Sequence, residues 1–125
     1  MRFHVYKKVF VTLLLLLFSL QSYQGLRAEH FYSPGKPEEL AEKLLAAMTD
    51  EEALAQTFML GWVGADPSPA IMDWIQKRRI GGIKIFGWNT EDTYRLANTV
   101  GVLQKAAQQS EKKIPLLVAT DQEGG

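Results

Sequence analysis

The chain has 125 residues, one domain's worth at most, with 14 basic and 14 acidic side chains and no cysteine. Balanced charge excludes the basic excess that an electrostatic nucleic-acid partner needs. The absence of cysteine excludes a disulfide framework and any thiolate metal site.

The N-terminus carries the first signal. Arg2, Lys7 and Lys8 precede an apolar run from Val9 to Phe18, broken only by Thr12 and continuing to Leu20. A basic start followed by roughly 7–15 apolar residues is the pattern of a secretory signal, and the run falls short of the ~20 residues that span a bilayer. Residues 1–28 are therefore predicted to be a signal peptide or an uncleaved signal-anchor. Ala28 is a plausible last residue, although Leu26 is larger than the small residue usual at that place. The product is expected to be exported to the periplasm, the cell surface or the medium, with membrane contact through this segment alone.

Residues 29–36 read as a linker, with His30 solvated and Pro34 and Gly35 as breakers. Pro37 opens a helix, where its missing N–H costs nothing, with Leu40, Leu44, Leu45 and Met48 on one face. Thr49 and Glu52 form a capping box for a second, short helix. Phe58-Met59-Leu60, ending at Gly61, is a candidate buried strand. Ser68 and Pro69 start a helix carrying Ile71, Met72 and Ile75, which Gly81-Gly82 is expected to stop. Ile83 to Phe86 is the second strand. Asn89 or Thr90 then caps a longer helix with Leu96, Val100, Leu103 and Ala107 as its apolar stripe. Ile114 to Thr120 is the third strand, with Pro115 near its start, where a lost ladder donor is tolerated.

Alternating strands and helices predict an α/β architecture with a parallel sheet. The strands begin near residues 58, 83 and 114. A (β/α)₈ barrel of ~250 residues divides into units of roughly 31, so the spacing fits a barrel, and a doubly wound sheet equally. Three strands leave long apolar edges, and the chain ends on Gly124-Gly125 just past the most apolar strand. The chain is accordingly expected to be a truncated part of a larger domain.

Three segments together resemble family 3 glycoside hydrolases of the β-N-acetylhexosaminidase (β-N-acetylglucosaminidase) branch. Met48-Thr49-Asp50-Glu51-Glu52 with Gln56-Thr57-Phe58-Met59-Leu60-Gly61 is similar to the family's "MTLEEKIGQLFMVGF". Gly81-Gly82-Ile83-Lys84-Ile85-Phe86 with Asn89 is similar to "GGVILFxRN". Ile114 to Gly125 is similar to "IPLLIAVDQEGG". The resemblance implies that residues 37–125 are the first three βα units of a TIM-type (β/α)₈ barrel, incomplete, belonging to a retaining enzyme. Such an enzyme removes terminal β-linked N-acetylhexosamine from peptidoglycan- or chitin-derived oligosaccharides, with a carbohydrate as its partner and no cofactor. The family's nucleophile and its His/Asp acid/base lie after a "KHFPGHG" segment. This chain has no such segment and no His after His30, so no catalytic residue is expected here and the chain alone is expected to be inactive. Alternatives are a family 3 β-glucosidase fragment, or a non-catalytic exported remnant of a broken gene.

Asp121 is the principal substrate-binding candidate. It follows a barrel strand at the end where barrel enzymes place their chemistry, and it matches the family's sugar-binding aspartate. Its alternative is an Asx turn. Glu123 is a weaker candidate, because two carboxylates in one tight loop cannot bracket a scissile bond, and it reads better as a loop-fixing acceptor. Trp62 and Trp88 follow the first two strands and can stack on a sugar or simply pack. Trp88 stands where many family members have Arg. Lys84 lines the barrel interior or sits at an edge, Asn89 is read as a cap, and no metal constellation is present in the sequence.

Overall fold

A computed structural model describes residues 28–122. The predicted signal segment lies outside them except for its last residue, as do Glu123, Gly124 and Gly125. Three parallel strands form one sheet in the order β1-β2-β3. β1 is Met59–Leu60, β2 is Gly82–Ile85 and β3 is Leu117–Thr120. Met59 pairs with Gly82, and Ile83 with Val118. The expected parallel sheet is thus present, with shorter strands. Sequential parallel neighbours joined by helices are what consecutive βα units produce.

Helix α1 (Pro37–Ala46) starts on Pro37, with Glu38 and Glu39 in its first turn and Lys43 in its last, as the helix dipole favours. Only Leu44 of its predicted apolar face is buried, and Leu45 is exposed. Helix α2 (Asp50–Ala55) has the expected capping box: the Glu52 N–H donates to Thr49 Oγ1 at 3.1 Å and the Thr49 N–H to Glu52 Oε2 at 3.2 Å. Helix α3 (Pro69–Asp73) is capped by Ser68, whose Oγ accepts from the Ile71 N–H.

The end of α3 departs from expectation. The helix widens into a π turn over Trp74–Arg78 and stops at Arg79, which adopts a left-handed conformation with φ 63°. Arg79, not the Gly81-Gly82 pair, is the terminator. The glycines serve close approach instead. A Cβ on Gly81 would lie 2.0 Å from the Gln56 carbonyl oxygen, so only glycine lets β2 start directly beneath the end of α2. Its N–H donates to the Ala55 carbonyl and its own carbonyl accepts from Leu117.

Helix α4 (Thr93–Ala107) is capped by Asp92, whose carboxylate accepts from the Arg95 N–H at 3.0 Å. Neither Asn89 nor Thr90 caps it. Its stripe packs as predicted through Leu103 and Ala107, with Leu96 beside them and Ala106 added. Gln104 projects from α4 to both backbone groups of Leu116, donating to its carbonyl at 2.8 Å and accepting from its N–H at 2.9 Å. That side chain supplies backbone pairing just before β3, where the sheet ladder has not yet begun.

The core lies on one face of the sheet. Ile83, fully buried, packs among Ile71, Ile75, Ile80, Leu103 and Leu116. Side chains alternate along a strand, so Ile83 and Ile85 point to this core and Lys84 to the opposite face. That opposite face is open: Leu117 is 69% exposed and Met59 40%. The buried first strand expected from Phe58-Met59-Leu60 is only half buried among the described residues, because one of its side-chain sets faces away from the helices. No described helix is long and apolar enough to cross a membrane.

Candidate functional site

The carboxyl ends of the strands bring the singled-out residues together. Lys84 is registered with Ala119 and Ile85 with Thr120. One step further, Phe86 and Asp121 follow their strands on the same face as Lys84, since that face repeats every second residue. The ammonium of Lys84 lies 2.6 Å from Asp121 Oδ2 and 4.9 Å from the centroid of the Phe86 ring. Its four-carbon stem runs up the open face of the sheet, and the cation ends over an aromatic surface, an attractive arrangement for its charge.

The Phe86 ring continues this surface. It stacks on Trp88 with centroids 4.8 Å apart and planes 18° apart. Gly61 makes room for it: a Cβ at that position would stand 2.5 Å from Phe86 Cε2. Trp88 is half exposed and donates its indole N–H to the Trp62 carbonyl at 2.8 Å, which fixes the ring orientation.

Trp62 itself is only 3% exposed and its ring belongs to the core. It presents no face to a ligand, so of its two expected roles, stacking on a sugar and packing, the structure has packing; its contribution to the site is its carbonyl oxygen. Its indole N–H has no hydrogen-bond partner.

Asn89 is the residue that holds the loops together. It is 1% exposed. Its Oδ1 accepts the Phe86 N–H at 2.8 Å, and its Nδ2 donates to the carbonyls of Gly64 at 2.6 Å and Trp62 at 3.3 Å. The side chain therefore closes the loop after β2 on itself and ties it to the loop after β1. Thr99, also buried, donates its hydroxyl to Ala65 at 2.9 Å, and Arg95 binds the Asp66 carboxylate through two of its nitrogens. The Arg95 guanidinium holds the Asp66 carboxyl below its ordinary range, and Asp66 in turn raises Arg95. All three anchors, one from the loop after β2 and two from α4, converge on residues 62–66.

These groups offer a polyol two kinds of contact: a carboxylate oxygen, Asp121 Oδ1, that accepts hydroxyl hydrogens, and an aromatic face, Trp88, while the Lys84 ammonium is engaged by the other carboxylate oxygen. Among the described residues no group of three or more His, Asp or Glu could hold a metal ion. The sequence pointed to Asp121 and Trp88, and the structure sets them at the same end of the sheet. The part played by Lys84 was left undecided by the sequence, although its place between two core isoleucines carried the signal that it faces the other way. Nothing in the sequence disclosed Asn89 as a bridge.

Residues 48–125 match the family described as the N-terminal domain of glycosyl hydrolase family 3. The chain belongs to that family. The family's N-terminal domain is a TIM-barrel-type fold, and the described residues carry a small parallel sheet of three strands with its helices. The chain is 40% identical over 57 residues to beta-hexosaminidase A of Pseudoalteromonas piscicida, an alignment that covers 46% of this chain and 10% of that protein. It is similar in structure to a family 3 β-N-acetylglucosaminidase from Paenibacillus sp. str. FPU-7, with a TM-score of 0.58 and 33% identity over 63% of this chain and 15% of the other. A fungal multi-domain family 3 β-N-acetylglucosaminidase gives the same TM-score at 31% identity, over 62% of this chain and 9% of the other. The chain thus spans a tenth of the length of its curated relative.

Proposed function

We propose that this chain supplies the sugar-holding part of an exported family 3 β-N-acetylhexosaminidase, acting on terminal β-linked N-acetylhexosamine of peptidoglycan- or chitin-derived oligosaccharides. The observation that carries the reading is Asp121 at the carboxyl end of β3, its carboxylate anchored by Lys84 beside the Phe86–Trp88 stack. The likeness to proteins named for hexosaminidase or N-acetylglucosaminidase activity supports the substrate class.

In this reading Asp121 Oδ1 receives hydroxyls of the non-reducing sugar, and the Trp88 face takes an apolar side of the pyranose ring. Holding the sugar raises the effective concentration of the anomeric carbon before groups from other loops, but it forms no glycosyl–enzyme bond. The 125-residue chain by itself therefore does not turn over substrate. Residues 1–28 direct export.

The test compares nitrophenyl N-acetyl-β-glucosaminide with nitrophenyl β-glucoside, using the complete protein and, separately, residues 29–125. Hydrolysis of the first by the complete protein alone is the expected result. Preference for the glucoside would overturn the substrate class, and turnover by residues 29–125 above a matched blank would overturn the division of labour.

A further inference from the structure

β2 reads Gly82-Ile83-Lys84-Ile85, with a charged side chain between two apolar ones. Ile83 is fully buried on the helix-covered face. Lys84 occupies the opposite face, its side chain about one-third exposed, and runs toward the carboxyl end of the sheet until its ammonium meets Asp121 Oδ2 at 2.6 Å. The Phe86 ring lies 4.9 Å from that ammonium. The contact joins two strands and is anchored at mid-strand on the lysine side.

We propose that Lys84 is a positioning residue for Asp121: it occupies Oδ2, fixes the carboxylate plane, and leaves Oδ1 turned toward the sugar. This rests on the reading of Asp121 as a sugar-binding residue. An exposed aspartate on a loop samples several rotamers, and ordering it on binding costs affinity. A charge-assisted bond from a lysine whose stem lies on the sheet removes that cost beforehand. The Asp121 side chain is 59% exposed, and an ion pair this open contributes little to folding. Orientation is therefore the role left to it. Gly61 belongs to the same device, because it admits the Phe86 ring that underlies the ammonium.

The test is a double-mutant cycle in the complete protein with Lys84→Met, Asp121→Ala and both together, plus Lys84→Arg. It is run on whichever β-glycoside the wild type hydrolyses. Failure to hydrolyse the N-acetylglucosaminide then counts against the substrate reading alone. Lys84→Met is expected to raise KM about tenfold with kcat changed less than about threefold, the pattern of lost uniform binding. The double variant is expected to match Asp121→Ala within about twofold, because the lysine acts only through the aspartate. Lys84→Arg, which keeps the charge in a different geometry, is expected to recover part of the loss. Unchanged kinetics in Lys84→Met, or losses that multiply in the double variant, would overturn the proposal; multiplying losses mean that Lys84 touches the sugar itself. If Lys84→Met does not fold, Lys84→Gln takes its place in the cycle and is judged by the same two outcomes.

Discussion

Asn89 reaches across two loops to the backbone of Trp62, and the Trp62 carbonyl receives two donors at once, Asn89 Nδ2 at 3.3 Å and Trp88 Nε1 at 2.8 Å. Asn89 also satisfies the Phe86 N–H and the Gly64 carbonyl. Its removal leaves those two backbone groups without their side-chain partner. Each costs about 1–3 kcal/mol when stranded, so Asn89→Ala is expected to destabilise the protein by about 2–4 kcal/mol. Asn89→Asp keeps the shape but turns a carboxylate oxygen toward two carbonyls, and is expected to be at least as harmful at neutral pH. Urea denaturation midpoints decide, and a loss within about 0.5 kcal/mol, the range of an ordinary surface change, would refute the bridging role.

Gly81 gives a second prediction. Gly81→Ala sets a methyl group 2.0 Å from a backbone oxygen of Gln56, and backbone cannot swing aside as a side chain can. Overpacking of this kind costs about 1–3 kcal/mol or more. Gly87→Ala, where nothing lies within 4 Å of the added atom, is the control and is expected to leave the midpoint nearly unchanged. Equal effects at the two positions would show that the close approach of β2 to α2 is not needed.

The contrast between these residues shows what the sequence could disclose. Periodicity marked the four α-helices and three strands of the described residues, and local start signals marked α1, α2 and α3 but not α4, because a capping box, an N-terminal proline and an apolar stripe are written in neighbouring residues. The Thr49–Glu52 box and the Ser68–Pro69 start were legible for that reason. Asn89, Gln104 and Arg79 were not. Asn89 and Gln104 act on backbone groups more than ten residues away, and a single polar letter does not reveal a distant partner. Arg79 ends a helix in a left-handed conformation that a non-glycine residue adopts at a cost of about 1–2 kcal/mol, so propensity pointed to the glycines beyond it. At the site, the motif located Asp121, whereas its ion pair with Lys84 depended on the register of β2 against β3.

Acid should weaken the joint made by Glu52 and Lys112. Glu52 accepts from Lys112 at 2.9 Å and from the Thr49 N–H. The Lys112 contact, followed by the backbone bond, holds its carboxyl below the ordinary value of 4.5 against the opposing effect of burial. A depressed folded pKa means that the stabilisation is complete above the unfolded value and is lost as pH falls through the folded one. Glu52→Gln is therefore expected to be less stable than wild type at neutral pH, with the gap closing below pH 4.5. Thermal melts of both proteins across that range provide the check. A gap that stays constant, or widens toward acid, would show that Glu52 is not held ionised by this contact.

Asp121 sits where strand three delivers it to the mouth of the sheet, with one oxygen already committed to Lys84. Its other oxygen can accept hydroxyl hydrogens. Hydrogen bonds to a charged group contribute about 1.5–3 kcal/mol. Asp121→Ala in the complete protein is thus expected to lower kcat/KM about ten- to a hundredfold or more, each ~1.36 kcal/mol being worth tenfold. In the proposed division of labour the glycosyl–enzyme bond forms at another residue, so the substitution should not stop a slow-leaving fluorosugar, at saturating concentration, from trapping it. Mapping the labelled peptide in wild type and variant separates the roles. Label on Asp121 in the wild type would make it the nucleophile and reverse the assignment. An unchanged kcat/KM in Asp121→Ala would reduce it to a turn former, and its ion pair with Lys84 to a surface contact.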